Sequence, residues 1–151
     1  MINYRLIELI IEKLKTKICI SDFLPLTTYH RLPMNNLSPE KYRHDLEVVR
    51  NTAQQVIKDF GMSGIEIIFS GNPDTAYREL VEQVQPALKN LYKQNAGSFM
   101  ALLYRIDISE KQFRTLAERV SGEDFYKGLA EMVIEREFLK VLTRKIYSNR
   151  K

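Results

Sequence analysis

The residues most often used for metal binding and nucleophilic catalysis are scarce in this sequence and lie far apart. The two histidines are His30 and His44, and the single cysteine is Cys19. Zinc ligands usually occur in pairs with roughly two to five residues between them, and these three residues show no such spacing. Cys19 lies between two isoleucines, which is typical of a packing cysteine rather than a reactive one. We therefore predict no metal centre, no cofactor and no cysteine nucleophile.

Two other patterns could carry chemistry but have simpler structural interpretations. Residues 69–73 could form a strand, a turn and a helix start, yet they lack the glycine spacing and the lysine of a nucleotide-binding loop. Glu131, Glu135 and Glu137 lie along the last predicted helix, where paired acids could perform acid–base catalysis. A solvated helical face accounts for them, so we interpret all three as surface residues.

The positive charge of the protein is concentrated near the end of the sequence. The formal net charge is +4. The residues after Phe138 contain no acid and several cations: Lys140, Arg144, Lys145, Arg150 and Lys151. These are candidate contacts for a nucleic acid or another anion. The favoured interpretation is a solvated helix end, where cations complement the helix dipole, followed by a short basic tail at residues 148–151.

Arg136 is predicted to lie in an apolar environment. On the helical wheel of residues 122–147 it falls near the middle of a stripe of apolar side chains: Phe125, Leu129, Met132, Val133 and Leu139. A guanidinium that loses water there needs a carboxylate from another element, because its own helix has no acid three or four residues away. Asp107 is the first candidate partner and Glu79 the second. We interpret the pair as a structural ion pair.

Residues 21–37 have no apolar period and contain Pro25 and Pro33. A connection of this length without regular structure is uncommon in a compact domain and often has a function. If the protein is an enzyme, the site is expected in this segment, with three adjacent side chains as candidates: Tyr29, His30 and Arg31.

Helix starts are marked by capping residues. Ser109 and Gln112 have the spacing of a capping box, in which each side chain bonds to the backbone amide of the other residue. Ser38, Asn72 and Ser121 also precede predicted helices. Apolar residues recur at intervals of three and four, which predicts helices over residues 2–15, 39–60, 73–94, 99–106, 113–120 and 122–147.

Two of these predicted helices have special features. Pro86 lies inside the helix over residues 73–94 and predicts a kink or a restart, because proline removes one backbone hydrogen bond. The helix over residues 122–147 has apolar side chains on two opposite sides, which is typical of a helix covered by neighbours on both sides. We therefore predict that this last helix is central to the core.

The fold predicted from these patterns is a single all-α domain over residues 1–151, an irregular bundle of five to seven helices. Residues 17–20 and 65–69 are short apolar stretches that could form a minor two-stranded pair. No stretch is long and apolar enough to cross a membrane. A lone cysteine favours the reducing cytoplasm as the location.

Three functions are consistent with the sequence. The leading hypothesis is a non-catalytic interaction or regulatory protein that presents helical surface to another protein or to a second copy of itself. The second is a nucleic-acid-associated protein that uses the basic C-terminal cations. The third is a small enzyme with a site in residues 21–37, recognisable by a deep pocket with a polar cluster.

Overall fold

The computed structural model describes residues 42–148, which form an irregular helical bundle. Its five helices are α1 (Leu46–Gly61), α2 (Ala76–Gln94), α3 (Ala96–Ile106), α4 (Glu110–Arg119) and α5 (Gly122–Ser148). Residues 42–148 contain no strand. The predicted all-α class is confirmed, at the lower end of the predicted number of helices.

The helix α5 is central, as its apolar pattern predicts, and packs against each of the other four helices. The prediction of two opposite stripes is wrong, because the buried positions repeat at intervals of three and four and form one broad face. That face consists of Tyr126, Leu129, Ala130, Val133, Ile134, Glu137, Phe138, Val141 and Leu142. Phe125 and Met132 lie at its margin, partly buried against the core.

The helix α1 begins with Asp45 as its N-cap. The Oδ1 atom of Asp45 accepts hydrogen bonds from the amides of Glu47 at 3.0 Å and Val48 at 3.2 Å. The predicted helix was longer at this end, but the residues directly before the cap form a turn, and Ser38 lies outside the described residues. With this start, Leu46 is exposed. The helix buries one face: Val48, Val49, Thr52, Ala53, Val56, Asp59 and Phe60.

The helix α2 begins at Ala76, a few residues later than predicted. Asn72 instead stabilises the turn before it, since its Oδ1 atom accepts a hydrogen bond at 3.0 Å from the amide two residues later. The helix runs through Pro86 as one element, so of the two predicted alternatives, a kink or a restart, the restart does not occur. Val84 and Leu88, on either side of the proline, are fully buried, and their packing holds both halves of the helix against the core.

The predicted capping box at the start of α4 is confirmed. The Ser109 Oγ atom accepts from the Gln112 amide at 3.2 Å, and the Gln112 Oε1 atom accepts from the Ser109 amide at 3.0 Å. Before it, α3 ends at Ile106 and is capped by Asp107, whose φ of 70° is in the left-handed region. This reversal of the chain brings α4 back toward α5.

The connection between α1 and α2 contains the stretch that could have been a strand, residues 65–69. Its side chains alternate: Ile65, Ile67 and Phe69 contact the core, while Ile68 is exposed. The Gln83 side chain donates to the Ile68 carbonyl at 2.7 Å and accepts from the Ile68 amide at 2.9 Å. A side chain of α2 thus makes the hydrogen bonds that a neighbouring strand would make. The strand prediction is wrong for residues 65–69, and residues 17–20 lie outside the described part.

Candidate functional site

A carboxylate cluster lies inside the bundle, between α1 and α5. The Glu137 side chain is fully buried in the broad face of α5, and Asp59 of α1 is 4% exposed. The Lys140 Nζ atom lies 3.0 Å from Glu137 Oε1 and 3.8 Å from Asp59 Oδ2. The same ammonium donates to the backbone carbonyl of Arg105 at 3.2 Å. One cation therefore faces two buried carboxyl groups.

This environment changes the protonation of Glu137. Burial raises the pKa of the Glu137 carboxyl to about 7, because water no longer solvates the charged form. Lys140 opposes the rise, whereas the Asp59 carboxylate adds to it through its charge and by hydrogen bonding to the protonated form. Near neutral pH the cluster consequently exchanges a proton, a property that is more common at functional sites than elsewhere.

Two residues connect this cluster to its surroundings. The Gln55 Nε2 atom donates to Asp59 Oδ2 at 3.0 Å, and the Gln55 Oε1 atom accepts from Arg144 Nη1 at 2.9 Å. Arg105 donates to the backbone carbonyl of Asp59 at 2.8 Å and so ties α3 to the end of α1. Gln55 therefore links the interior to an exposed arginine.

Above Gln55, the exposed faces of α1 and α5 form a groove of about 540 Å³, which we call the α1–α5 groove. Its lining is mostly polar: Glu47, Asn51, Gln54, Gln55, Lys58, Val141, Arg144, Lys145 and Ser148. The positions on α1 repeat at intervals of three and four, with Gln54 and Gln55 adjacent, and therefore share one side of the helix. Three cations and one carboxylate make the groove positively charged.

The basic residues singled out from the sequence do not act as one solvated cluster. Lys140 takes part in the buried cluster, and Arg144 bonds to Gln55. Lys145 forms ion pairs with Asp45 at 2.9 Å and Glu47 at 2.7 Å. Arg150 and Lys151 lie outside the described residues. Within residues 42–148, these cations are thus bonded to groups of the fold itself.

The Arg136 guanidinium donates to the Asp107 carboxylate, the partner that the helical wheel placed first. The side chain of Arg136 is 14% exposed, whereas that of Asp107 is 67% exposed. The pair therefore lies at the edge of the core, at the left-handed turn that ends α3. Its position is that of a structural ion pair.

The remaining predicted site residues have different outcomes. Tyr29, His30 and Arg31 lie outside the described residues. His44 is exposed and lies in the turn before α1. Glu131 and Glu135 are partly exposed on α5. The interpretation of Glu137 as a surface residue is wrong, because that side chain points into the core.

The burial of Glu137 has a signal in the sequence, in the spacing of its apolar neighbours. Glu137 follows Val133 and Ile134 by four and three residues and precedes Val141 by four. All three neighbours are buried, so an acid at this position lies inside the apolar face. Asp59 likewise follows Val56 by three residues and precedes Phe60.

Within residues 42–148, no group of three or more acidic, histidine or cysteine side chains is placed to hold a metal ion. No helix in this part of the chain is long and apolar enough to cross a membrane. Comparisons with protein-family models, with curated proteins and with solved structures gave no match to this chain.

Proposed function

We propose that this protein is a non-catalytic interaction protein that binds an acidic segment of a partner protein in the α1–α5 groove. The observation that carries the proposal is the lining of the groove. The exposed cations Lys58 and Arg144 flank a row of amide side chains on α1. Cations attract carboxylates, while amides donate to and accept from a peptide backbone.

The charge of the groove favours a peptide over a nucleic acid as its partner. Lys145 is already paired with Asp45 and Glu47, which reduces the charge available to a ligand. Nucleic-acid affinity arises mainly from many cation–phosphate contacts. The amides of Asn51 and Gln54 have no preference for phosphate over peptide groups. A second copy of this chain is a partner of the same chemistry, since exposed acids occur on α4.

We also propose a cytoplasmic location, because a lone cysteine is typical of reducing compartments.

The proposal is tested by measuring the fluorescence anisotropy of a labelled glutamate-rich peptide in the presence of the full chain. We expect the peptide to bind and a matched lysine-rich peptide not to bind. The double variant Lys58→Gln/Arg144→Gln should weaken binding about tenfold through the loss of two charge contacts. Lys127→Gln, which removes an exposed cation of α5 outside the groove, should leave binding unchanged.

Equal binding of both peptides, or no binding of either, would refute the proposal. A single-stranded oligonucleotide measured in parallel decides the alternative. If it binds in place of the peptide, with affinity that falls steeply as salt is added, the protein is nucleic-acid-associated. Light scattering on the same samples separates self-association from binding of the peptide.

A further inference from the structure

A second concavity, of about 180 Å³, lies where α1, α2 and α5 meet. It shares no lining residue with the α1–α5 groove. Its inner wall is apolar and contains Leu80, Ile134 and Phe138, all of them buried. An apolar cavity of about 150 Å³ holds a benzene molecule. The pocket therefore has room for a single ring or an aliphatic group of the same size.

The mouth of this pocket carries polar groups. Asp74 and Glu135 contribute carboxylates, Arg43 a guanidinium, and Tyr77 a phenol that is 43% exposed. The Arg43 Nη1 atom lies 2.8 Å from Glu135 Oε1, so its positive charge is opposed by that carboxylate. His44 also lines the mouth and is exposed.

The balance of charge at the mouth is negative. The pKa of the Tyr77 hydroxyl is raised, first by burial and then by the negative charges of Glu131 and Glu135. Arg43 opposes this effect, but the net direction is upward. Burial is the largest cause of this rise, and the two carboxylates add to it because they disfavour a further negative charge nearby.

We propose that this pocket binds a small organic amine, with its apolar ring against Leu80, Ile134 and Phe138 and its ammonium group among Glu135, Asp74 and the Tyr77 hydroxyl. The apolar wall supplies burial of the ring. The carboxylates select the cation over a neutral or anionic ligand of the same shape.

Amide chemical-shift perturbation in the full chain tests this site with benzylamine, benzyl alcohol and benzoate as probes. We expect benzylamine to bind most tightly, with shifts concentrated in residues 73–80 and 134–138. Glu135→Gln should weaken the binding of benzylamine about fivefold, which is the effect of losing one charge contact. It should leave the affinity for benzyl alcohol unchanged. The same variant should bind benzoate more tightly, because Arg43 then loses its carboxylate neighbour.

A matched control is Glu118→Gln, which removes an exposed acid of α4. It should leave the affinity of all three probes unchanged. The proposal is overturned if benzyl alcohol binds as tightly as benzylamine, since the pocket then does not select charge. It is equally overturned if none of the probes shifts residues 73–80, or if Glu118→Gln weakens benzylamine as much as Glu135→Gln does.

Discussion

Gln55 accepts a hydrogen bond from Arg144 at 2.9 Å on the surface while the other end of its amide holds the buried Asp59 at 3.0 Å. An amide cannot exchange its two ends without losing both bonds, because its oxygen only accepts and its nitrogen only donates. One side chain therefore bridges the buried Asp59 and the groove residue Arg144.

The buried cluster predicts a pH dependence of stability. The Glu137 carboxyl has a pKa of about 7 in the folded chain against a reference value of 4.5. The folded state therefore binds a proton more tightly, and this contribution to stability is present below pH 4.5 and is lost as the pH rises through 7. Its size is about 3 kcal/mol. Glu137→Gln should be as stable as the wild type at low pH and more stable at high pH.

Urea denaturation at a series of pH values measures this difference. Glu118→Gln is the control, since that acid is exposed, and it should retain the pH dependence of the wild type. If Glu137→Gln and the wild type lost stability in parallel over this range, the Glu137 carboxyl would not be the titrating group.

Lys140 should stabilise the fold mainly through the charges it faces. Lys140→Met leaves Asp59 and Glu137 without their shared cation and should reduce the free energy of unfolding by about 3 kcal/mol at high pH. At low pH the loss should be smaller, because Glu137 is then protonated. The double variant Lys140→Met/Glu137→Gln should recover part of the stability at high pH. Equal losses for the single variant at both ends of the pH range would contradict this account.

Gln83 should control the connection between α1 and α2. Gln83→Ala removes both side-chain hydrogen bonds to Ile68 and should cost about 1 kcal/mol. Hydrogen exchange gives the more specific readout, since the Ile68 amide should exchange faster while amides in the middle of α2 stay protected. Gln94→Ala, at the exposed end of the same helix, is the control. An unchanged exchange rate at the Ile68 amide would show that the Gln83 side chain does not hold residues 65–69 in place.

The ion pair between Arg136 and Asp107 should contribute modestly. A fully buried pair that loses one partner costs about 3–5 kcal/mol, but Asp107 is 67% exposed. We therefore expect Arg136→Met to cost about 1 kcal/mol. Asp107→Asn removes the opposite charge of the same ion pair and keeps a residue that tolerates the left-handed backbone, so it should have a similar effect. A loss several times larger for Arg136→Met than for Asp107→Asn would assign Arg136 a role beyond this pair.

The helical elements were predictable because their signals are local. The capping box at Ser109 and Gln112 requires residues three apart, and its geometry follows from backbone bonding alone. The helix α5 was also predictable from local signals, and its predicted range of 122–147 differs from the observed helix by one residue. The start of α1 was less predictable, since Asp45 and Ser38 are both good caps and the choice depends on packing beyond the helix.

The buried cluster was not predictable from residue types. Acids on a helix are usually solvated, and Glu137 becomes an exception only through the burial of the residues around it. Lys140, on the same helix, pairs with Glu137, but the other groups that Lys140 faces come from α1 and α3, and Asp59 lies far from Glu137 in the sequence. The partner of Arg136 was easier to predict, because a cation in an apolar stripe needs a carboxylate and Asp107 lies at a helix end. The α1–α5 groove depends on how two helices cross, which a single helical wheel does not contain.

The central position of α5 has a consequence for the order in which the protein folds during synthesis. The helices α1 and α2 leave the ribosome before α5, yet much of the surface they bury is covered by α5. The last residue of α5 lies more than a hundred residues after Tyr42. Contacts such as that between Lys145 and Asp45 span 100 residues, and contacts so distant slow folding. Until α5 emerges, the apolar surface of α1 and α2 that α5 covers is open to other chains or to chaperones. A pause in translation at any point between α2 and the end of α5 would prolong that exposure.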